Sequence, residues 1–538
     1  MSMFRLCALG VSAALLAAAA SAEDTWRHGE RQPLWPDVGR IPDFQKHQYA
    51  EMSDLAGVKG FRREDHRMPY AEWFEKPANP NGACMILFSG GSYNGCTNVS
   101  LIKKWRDRFT ELGYQTVNVV YRVWRPEKLP CHYSAWQDGQ RAVRLVRSQA
   151  AARGFDPEKI GVAGMSAGGH LVTLLATSAL TPAYAPVDAL DEVPCHANWC
   201  VAFAPAYATL NGVKGVPTPQ DGTTETACLS PYFKFDAKTC PTVFLHGAAD
   251  TYSPNASSLC WQELTKRGVP SELHVYAGRG HAAHGLERAV EFMSQMAFVK
   301  EPPPEVAFNG RFPPADTAGT EAEGLWPDAA DARIVWFMPA KRTAKAVLVV
   351  LSAAGGAEVT GSAARWLNGN GMTAAVAEFP QGSNARRDAQ RAIRLVRAGA
   401  ERRGLDPERI GIVGFGADGD LAFATAASTR TPAYAPVDSI DGRSAKLKWA
   451  VVVGARFEDA GKTALDADTP PMSLMCGGED VASAMGAVKT WEALRKAGIQ
   501  SDLHVYARRG RGFYASGAPG TGSFTWPDRV WKFLTTSR

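Results

Sequence analysis

The sequence predicts an α/β fold built twice in tandem, each copy a mostly parallel sheet with helices on both faces. Two observations carry this expectation. Short apolar runs alternate with amphipathic helical stretches, and two long segments nearly repeat one another. Residues 141 to 171 read RAVRLVRSQAAARGFDPEKIGVAGMSAGGHL, and residues 391 to 421 read RAIRLVRAGAERRGLDPERIGIVGFGADGDL. Thr181–Asp188, TPAYAPVD, returns unchanged at Thr431–Asp438, and Leu34-Trp35-Pro36-Asp37 recurs at Leu325-Trp326-Pro327-Asp328. A match of this length marks a duplicated domain rather than a solenoid, and 538 residues accommodate two domains of about 250 residues each.

In the first copy, Ala83–Phe88 reads as a buried strand followed by a Gly-rich turn. Leu101–Leu112 has helical spacing, and Tyr114–Tyr121 reads as the next strand. Ser134–Arg153 is a long amphipathic helix with Val143, Leu145 and Val146 on its apolar face. Lys159–Ala163 is a short strand, and Gly169–Leu175 begins a helix. Thr242–Leu245 and Leu273–Tyr276 supply further strands. Strands alternating with helices imply a parallel sheet, whose chemistry gathers at the C-terminal strand ends.

Gly164-Met165-Ser166-Ala167-Gly168 sits between such a strand and such a helix. In an α/β-hydrolase this G-x-S-x-G turn presents the nucleophile, because small residues let the chain turn sharply and lift the serine clear of the backbone. A serine hydroxyl needs an adjacent base. The order Ser166, Asp250, His281 is that of an α/β-hydrolase triad, with His281 as base and Asp250 orienting it. His284 competes for the role of base, but His281 follows the strand exit Gly278-Arg279-Gly280 directly. The oxyanion donors are expected to be backbone N–H groups of Ala167 and of the Gly90-Gly91-Ser92 turn.

The repeat allows the same chemistry to be checked within one chain. Ser166 corresponds to Gly416, Gly90-Gly91 to Ala353-Ala354, and His281 to Arg511. Only Asp250 keeps its counterpart, Asp480, so that position also serves structure. The second copy is therefore expected to be a folded but catalytically degenerate hydrolase. Between Asp188 and Asp250 the first copy holds about twenty residues more than the second does between Asp438 and Asp480, spanning Cys195 to Cys240. A second excess lies near Trp124 to Trp136. Both segments are either pocket-forming loops or clamped surface loops.

Arg5, the apolar run Leu6–Ala20 and the small-residue site Ala20-Ser21-Ala22 read as a signal peptide. The run is too short to span a bilayer comfortably, and no other stretch reaches that length, so no membrane contact is expected after cleavage. The expected organisation is a signal peptide over 1–22, a catalytic domain over 23–298, a Pro-rich linker over 299–323 and a degenerate domain over 324–538. The expected location is secreted or periplasmic. Cys84, Cys96, Cys131, Cys195, Cys200, Cys228, Cys240 and Cys260 fall in the first copy and Cys476 in the second. An even set in an exported domain suggests disulfides of undetermined pairing. Zinc is the rival reading of the Cys195/Cys200 region, but no C-x-x-C pair is present, and no metal or cofactor is expected. With 59 basic and 54 acidic residues and no dense Lys/Arg block, nucleic acid is not an expected partner.

These residues resemble the secreted α/β-hydrolase esterases of the acetyl xylan esterase/feruloyl esterase (BD-FAE-like) type. The resemblance runs from Leu34-Trp35-Pro36-Asp37 through the Gly-Gly turn before Tyr93, Tyr121-Arg122, Gln140-Arg141-Ala142, Asp156-Pro157 and Ser166-Ala167-Gly168-Gly169-His170-Leu171 to Asp250 and Gly280-His281. It implies a serine carboxylesterase that removes acetyl or feruloyl groups from plant polysaccharide such as xylan. The sequence departs from the family pattern at Ser89-Gly90-Gly91-Ser92, at Ala282-Ala283-His284 and in its cysteine-rich segment. Two alternatives remain: a serine peptidase of the same fold, for which no propeller domain is evident, and a glycan-binding or scaffold role, most attractive for the second copy alone.

Overall fold

The computed structural model describes residues 29–43, 69–96, 99–123, 129–211, 227–297, 306–307, 317–353, 357–380, 382, 384–458, 463–510, 512–517 and 525–536. The signal-peptide reading at residues 1–22 lies outside them, as do Arg511 and Ala354. Among the described residues no helix is long and apolar enough to cross a membrane. Two compact units are present, one formed by Met1–Thr218 with Ser230–Cys240 and the other by Pro219–Leu229 with Pro241–Arg538.

In the first unit, β1 (Glu30–Pro33), β2 (Tyr70–Trp73), β3 (Cys84–Phe88), β4 (Gln115–Val120), β5 (Ile160–Met165) and β6 (Trp199–Phe203) lie in the order β1-β2-β4-β3-β5-β6. From β4 to β6 all neighbours are parallel, whereas β1 and β2 add an antiparallel edge. β3, β5 and β6 are buried at every residue, which is why they read as unbroken apolar runs. The expected helix over Ser134–Arg153 is two helices, Tyr133–Ser148 and Ala150–Arg153, broken at Gln149 and closed by Gly154 in the left-handed region. A short strand, β7 (Thr209–Asn211), follows β6, and β8 (Ala227–Leu229) opens the second unit.

The exactly repeated sequence stretches build the same buried polar network in each copy. Trp35 Nε1 donates to Asp138 at 2.8 Å, and Arg141 reaches the Leu34 carbonyl at 2.8 Å and the Asp188 carboxylate at 2.6 and 2.8 Å. In the second copy Trp326 donates to Asp388 at 2.8 Å, and Arg391 reaches the Leu325 carbonyl at 3.0 Å and Asp438. Arg141 and Arg391 also pair with Asp191 and Asp441, at 3.0 and 2.9 Å. The repeated Leu-Trp-Pro-Asp and TPAYAPVD segments thus hold the fold together. A buried guanidinium left without its carboxylates is costly, so both copies keep both partners.

The second unit carries β9 (Thr242–Gly247), β10 (Ser271–Tyr276), β11 (Val306–Ala307), β12 (Thr317–Trp326), β13 (Ala329–Pro339), β14 (Val347–Ser352), β15 (Thr373–Glu378), β16 (Ile410–Phe415), β17 (Trp449–Val453), β18 (Met472–Gly477), β19 (Asp502–Tyr506) and β20 (Ser516–Gly517). Its large sheet has the order β9-β10-β19-β18-β17-β16-β14-β15-β13-β12, and β11 pairs with β20. Residues from Thr317 onward belong to β12, so the Pro-rich span ends before 317 rather than at 323.

The last strand of the first copy, β10, pairs antiparallel with the last strand of the second, β19. Leu273 faces Val505, His274 faces His504, and Val275 faces Leu503, so each residue opposes the partner that a two-fold axis through the histidine pair demands. The carboxylates repeat the symmetry: Glu272 accepts the Ala507 N–H at 3.1 Å, and Asp502 accepts that of Ala277. His274 and His504 meet Nδ1 to Nδ1 at 3.0 Å, both fully buried. Glu272 is also clamped by buried Arg288 at 2.8 and 3.1 Å. Burial raises the Glu272 carboxyl, and Arg288 opposes that rise. This edge pairing is the reason compactness divides the chain near residue 240 rather than at the repeat boundary.

The disulfide expectation fails at Cys84, Cys96, Cys195, Cys260 and Cys476, which are free thiols. Cys96 and Cys195 donate instead to the carbonyls of Tyr121 and Ala179, at 3.7 and 3.2 Å. Burial pushes the Cys96 thiol up to about 11, so it stays protonated and inert. An even cysteine count carries no information about Cβ separation, which decides whether a bridge can form.

A chain ending at Glu301 lacks β19 and exposes the hydrogen-bonding edge of β10. We expect it to aggregate or to self-pair as a dimer, measured by analytical ultracentrifugation at micromolar concentration. A stable monomer with the Tm of the full chain would contradict this role for the second copy.

Candidate active site

In the first unit, the all-buried strand β5 ends at Met165 and the helix Ala167–Thr177 begins two residues later. Ser166 between them takes φ 58° and ψ −120°, a conformation that non-glycine residues adopt only where surrounding structure compels it. Its N–H donates to the Phe203 carbonyl at 3.0 Å, and its carbonyl accepts from His170 and Ala206 at 2.9 and 3.1 Å. The flanking glycines are required by contact. A Cβ at Gly164 would lie 2.3 Å from the Gly168 carbonyl oxygen, and one at Gly168 would lie 2.3 and 2.5 Å from those of Phe88 and Ser89.

The second of these close approaches sets the Gly90–Tyr93 turn, the predicted source of oxyanion donors, beside the elbow. That turn takes positive φ at three consecutive residues, Gly91 at 137°, Ser92 at 55° and Tyr93 at 57°, and is strained at the two that are not glycine. The Gly91 carbonyl accepts from Asn94 at 2.8 Å and Gly95 at 3.2 Å. Ser166, Ala167, Gly90, Gly91 and Ser92 all belong to the first unit. Ala167 opens its helix, where N–H groups lack intrahelical partners and the helix dipole favours negative charge.

Asp250 and His281 belong to the second unit, and the structure brings them together. Asp250 Oδ2 and Oδ1 lie 2.8 and 3.0 Å from His281 Nδ1. A carboxylate only accepts, so Nδ1 carries the proton and Nε2 is left with its lone pair free to accept. His284 Nε2 instead contacts the Gly280 carbonyl at 3.0 Å, which removes it as the partner of Asp250. Gly247 allows the arrangement, since a Cβ there would lie 2.2 and 2.4 Å from the Arg279 and Gly280 carbonyl oxygens.

His246 touches the predicted orienting carboxylate, a contact that sequence reasoning missed. Its Nε2 lies 3.0 Å from the Tyr252 carbonyl and 3.2 Å from Asp250 Oδ2, while its Nδ1 meets Ser257 Oγ at 2.8 Å. Nε2 must therefore carry the proton. Burial raises the Asp250 carboxyl, but the hydrogen bonds from His246 and His281 outweigh it and hold the group below the ordinary carboxylate range. The sign follows for a depressed acid: its stabilising contribution is complete above about pH 4 and is lost only as pH falls through the lower folded value. The signal available in the sequence was the position of His246, four residues before Asp250 on the end of β9.

In the second copy, Gly416 reproduces the elbow with φ 60° and ψ −122°, and its N–H donates to Val453 at 2.9 Å. Among the described residues, three neighbours occupy its surroundings differently from those of Ser166. A Cβ at Gly416 would lie 2.6 Å from Tyr514 Oη. Asp418, in the place of Gly168, accepts the N–H of Ala353, the counterpart of Gly90, at 3.2 and 3.3 Å. Asp480 caps the helix Val481–Lys496 through Ser483 N–H at 3.2 Å and Ser483 Oγ at 2.9 Å. Asp480 therefore persists as a helix cap.

Residues 75–193 match the BD-FAE family, and residues 136–302 match the Prolyl oligopeptidase family. An acetylxylan esterase of Xylanibacter ruminicola is 26% identical over 162 residues, covering 27% of this chain and 33% of that relative. An AB hydrolase superfamily protein of Schizosaccharomyces pombe is 25% identical over 229 residues, covering 39% of this chain and 65% of its own. The chain thus spans a third of one curated relative and under two thirds of the other. Among solved structures, an acetyl ester-xyloside bifunctional hydrolase from Caldicellulosiruptor lactoaceticus is 24% identical, with 52% of this chain and 93% of that chain covered and a TM-score of 0.36. The Thermogutta terrifontis esterase Est2 is 25% identical, with 43% and 89% covered and a TM-score of 0.36. The motifs and family matches make the first copy an α/β-hydrolase module. Within that fold, residues 75–193 are similar to the BD-FAE family.

Gly416→Ala should lower Tm, because it adds both a left-handed φ penalty of about 1–3 kcal/mol and a clash with Tyr514. Adding Tyr514→Ala should recover the steric part only. Differential scanning calorimetry of both variants checks this, and an unchanged Tm in Gly416→Ala would contradict the blocked elbow.

Proposed function

We propose that this protein is an exported serine carboxylic ester hydrolase that removes acetyl or feruloyl groups from plant polysaccharide such as xylan. The observation that carries the reading is the contrast between two elbows of one backbone shape, one bearing Ser166 and the other bare at Gly416. His281 Nε2 takes the Ser166 Oγ proton as Oγ attacks the ester carbonyl, while Asp250 holds the ring and offsets the charge formed on it. The N–H groups of Ala167 and of the 90–92 turn receive the oxyanion. The alcohol leaves with the proton from His281, and water then releases the acid by the reverse sequence. The acyl and sugar classes rest on the acetylxylan esterase relative, and export rests on residues 1–22.

The match of residues 136–302 to the Prolyl oligopeptidase family favours one second reading, a peptidase. A panel of acetyl, feruloyl, longer-chain and peptide substrates separates the two. Wild type should cleave the short acyl or feruloyl esters, and Ser166→Ala should lose at least about 10⁴-fold in kcat. Peptide turnover that exceeds ester turnover would overturn the esterase reading. Residual activity traced to the second copy would overturn the assignment of Ser166.

The two aspartates give a control within one chain. Asp250→Asn should lower kcat by about 10³–10⁴-fold, since the amide stabilises the wrong imidazole tautomer. Asp480→Asn should leave kcat unchanged and lower Tm by weakening a helix cap. Equal effects of the two substitutions on kcat would contradict the division of labour.

A further inference from the structure

We propose that Tyr93 is a positioning residue of the oxyanion site, its hydroxyl tying the strained Gly90–Tyr93 turn to the Ala167 carbonyl and His170 fixing the direction of that hydroxyl. The inference rests on the ester-hydrolase reading and adds a part to its site.

The geometry is specific. Tyr93 is fully buried, and its Oη lies 2.8 Å from the Ala167 carbonyl oxygen and 2.6 Å from His170 Nδ1. The phenol has one proton and a carbonyl cannot donate, so that proton goes to Ala167 O. Tyr93 Oη must then accept from His170 Nδ1–H. Burial raises the Tyr93 phenol well above its ordinary value and, with His132 nearby, drives His170 well below its own. Both shifts favour the neutral phenol and the neutral imidazole.

The arrangement joins the two expected sources of oxyanion N–H groups. Ser92 and Tyr93 are consecutive non-glycine residues with φ of 55° and 57°, a geometry that persists only if packing over-determines it. One end of the turn is held by Tyr121, whose hydroxyl donates to the Ser89 carbonyl at 2.6 Å. The other end is held by Tyr93 itself, packed against Tyr207 and His170 at ring separations of 5.7 and 5.9 Å. Its hydroxyl reaches the residue directly after the nucleophile. Donor placement within the turn is thereby referred to the elbow.

The duplication separates this role from a purely structural one. The fold-holding residues Trp35, Asp138, Gln140, Arg141 and Asp188 are all kept in the second copy, as Trp326, Asp388, Gln390, Arg391 and Asp438. Tyr93 and His170 are not. His170 becomes Asp420, and no aromatic residue occurs between Ala353 and Ala357, where the turn would supply one. Asp420 instead accepts the N–H groups of Arg456 and Phe457 at 3.1 and 2.8 Å. The pair disappeared together with Ser166 and the Gly-Gly turn, so it tracks the chemistry rather than the core.

The test uses the full-length protein with Tyr93→Phe, His170→Asn and His170→Leu. A small acyl ester gives kcat and KM, and a trifluoromethyl ketone, which binds as a tetrahedral oxyanion, gives Ki. Tyr93→Phe should lower kcat about ten- to a hundredfold, below the full loss of an oxyanion donor, with KM within about threefold. Ki should rise in step with the fall in kcat/KM, and the shape of the pH profile should not change. Asparagine keeps a donor where His170 Nδ1 stands, so His170→Asn should retain most activity while His170→Leu behaves like Tyr93→Phe. A Tyr93→Phe protein with kcat within about twofold of wild type, or with a raised KM and unchanged Ki, overturns the proposal. If Tyr93→Phe does not fold, the His170 pair decides, and equal activity of Asn and Leu overturns it. A wild type without ester turnover, or a Ser166→Ala protein that keeps it, removes the ester-hydrolase reading itself and this proposal with it.

Discussion

One backbone constraint governs the molecule: a left-handed residue wedged between a buried strand and the helix that follows it. Ser166 and Gly416 have nearly the same φ and ψ, in copies that share little chemistry. The sharp turn is what allows β5 and β16 to feed a helix back across the sheet. It demands glycine at 164 and 414, where a Cβ would lie 2.3 and 1.9 Å from the carbonyl oxygens of residues 168 and 418. For a serine the conformation costs energy, and the hydrogen bonds from Ala206 and His170 and to Phe203 hold it there. Glycine meets the same geometry without that cost. The same fold is therefore compatible with serine or glycine at the elbow, and in the second copy Tyr514 lies beside Gly416 while Asp418 accepts the Ala353 N–H.

The second copy persists because of the edge it covers. β10 leads into the loop bearing His281, and its open side is closed by β19 through a pseudo-two-fold pairing. Glu272 and Asp502 each cap an N–H across that pairing, and buried Arg288 pairs with buried Glu272. The helices Asn255–Lys266 and Val481–Lys496 reinforce it, with Ser258 Oγ donating to Glu492 at 2.7 Å. An isologous joint between two copies of one sequence is the geometry of a symmetric homodimer in which the partners are covalently linked. The core of the second copy, its Trp326–Asp388–Arg391 network and the Asp480 cap keep the unit folded and so keep β19 in place.

Much of this was legible in the sequence, for identifiable reasons. Strands buried on both faces announce themselves as apolar runs, so β3, β5 and β9 were placed within a residue or two at their N-terminal ends. The repeat exposed the degenerate copy by direct comparison, and the Gly-x-Ser-x-Gly turn fixed the elbow because its glycines are sterically compelled. The antiparallel edges β1, β2, β12 and β13 were not legible, since short or polar edge strands lack that signal. His246, Tyr93 and His170 were passed over because their roles come from contacts across the fold: Tyr93 meets residues 74 and 77 positions away. Cys96 and Cys195 satisfy their sulfurs with backbone carbonyls, which no residue count reveals.

The central claim is that one of two matching elbows is reactive. Intact-mass spectrometry after treatment with an excess of a fluorophosphonate reads this directly. The account predicts a single adduct per chain, localised by peptide mapping to the segment containing Ser166. No adduct, or an adduct on the second copy, would contradict it.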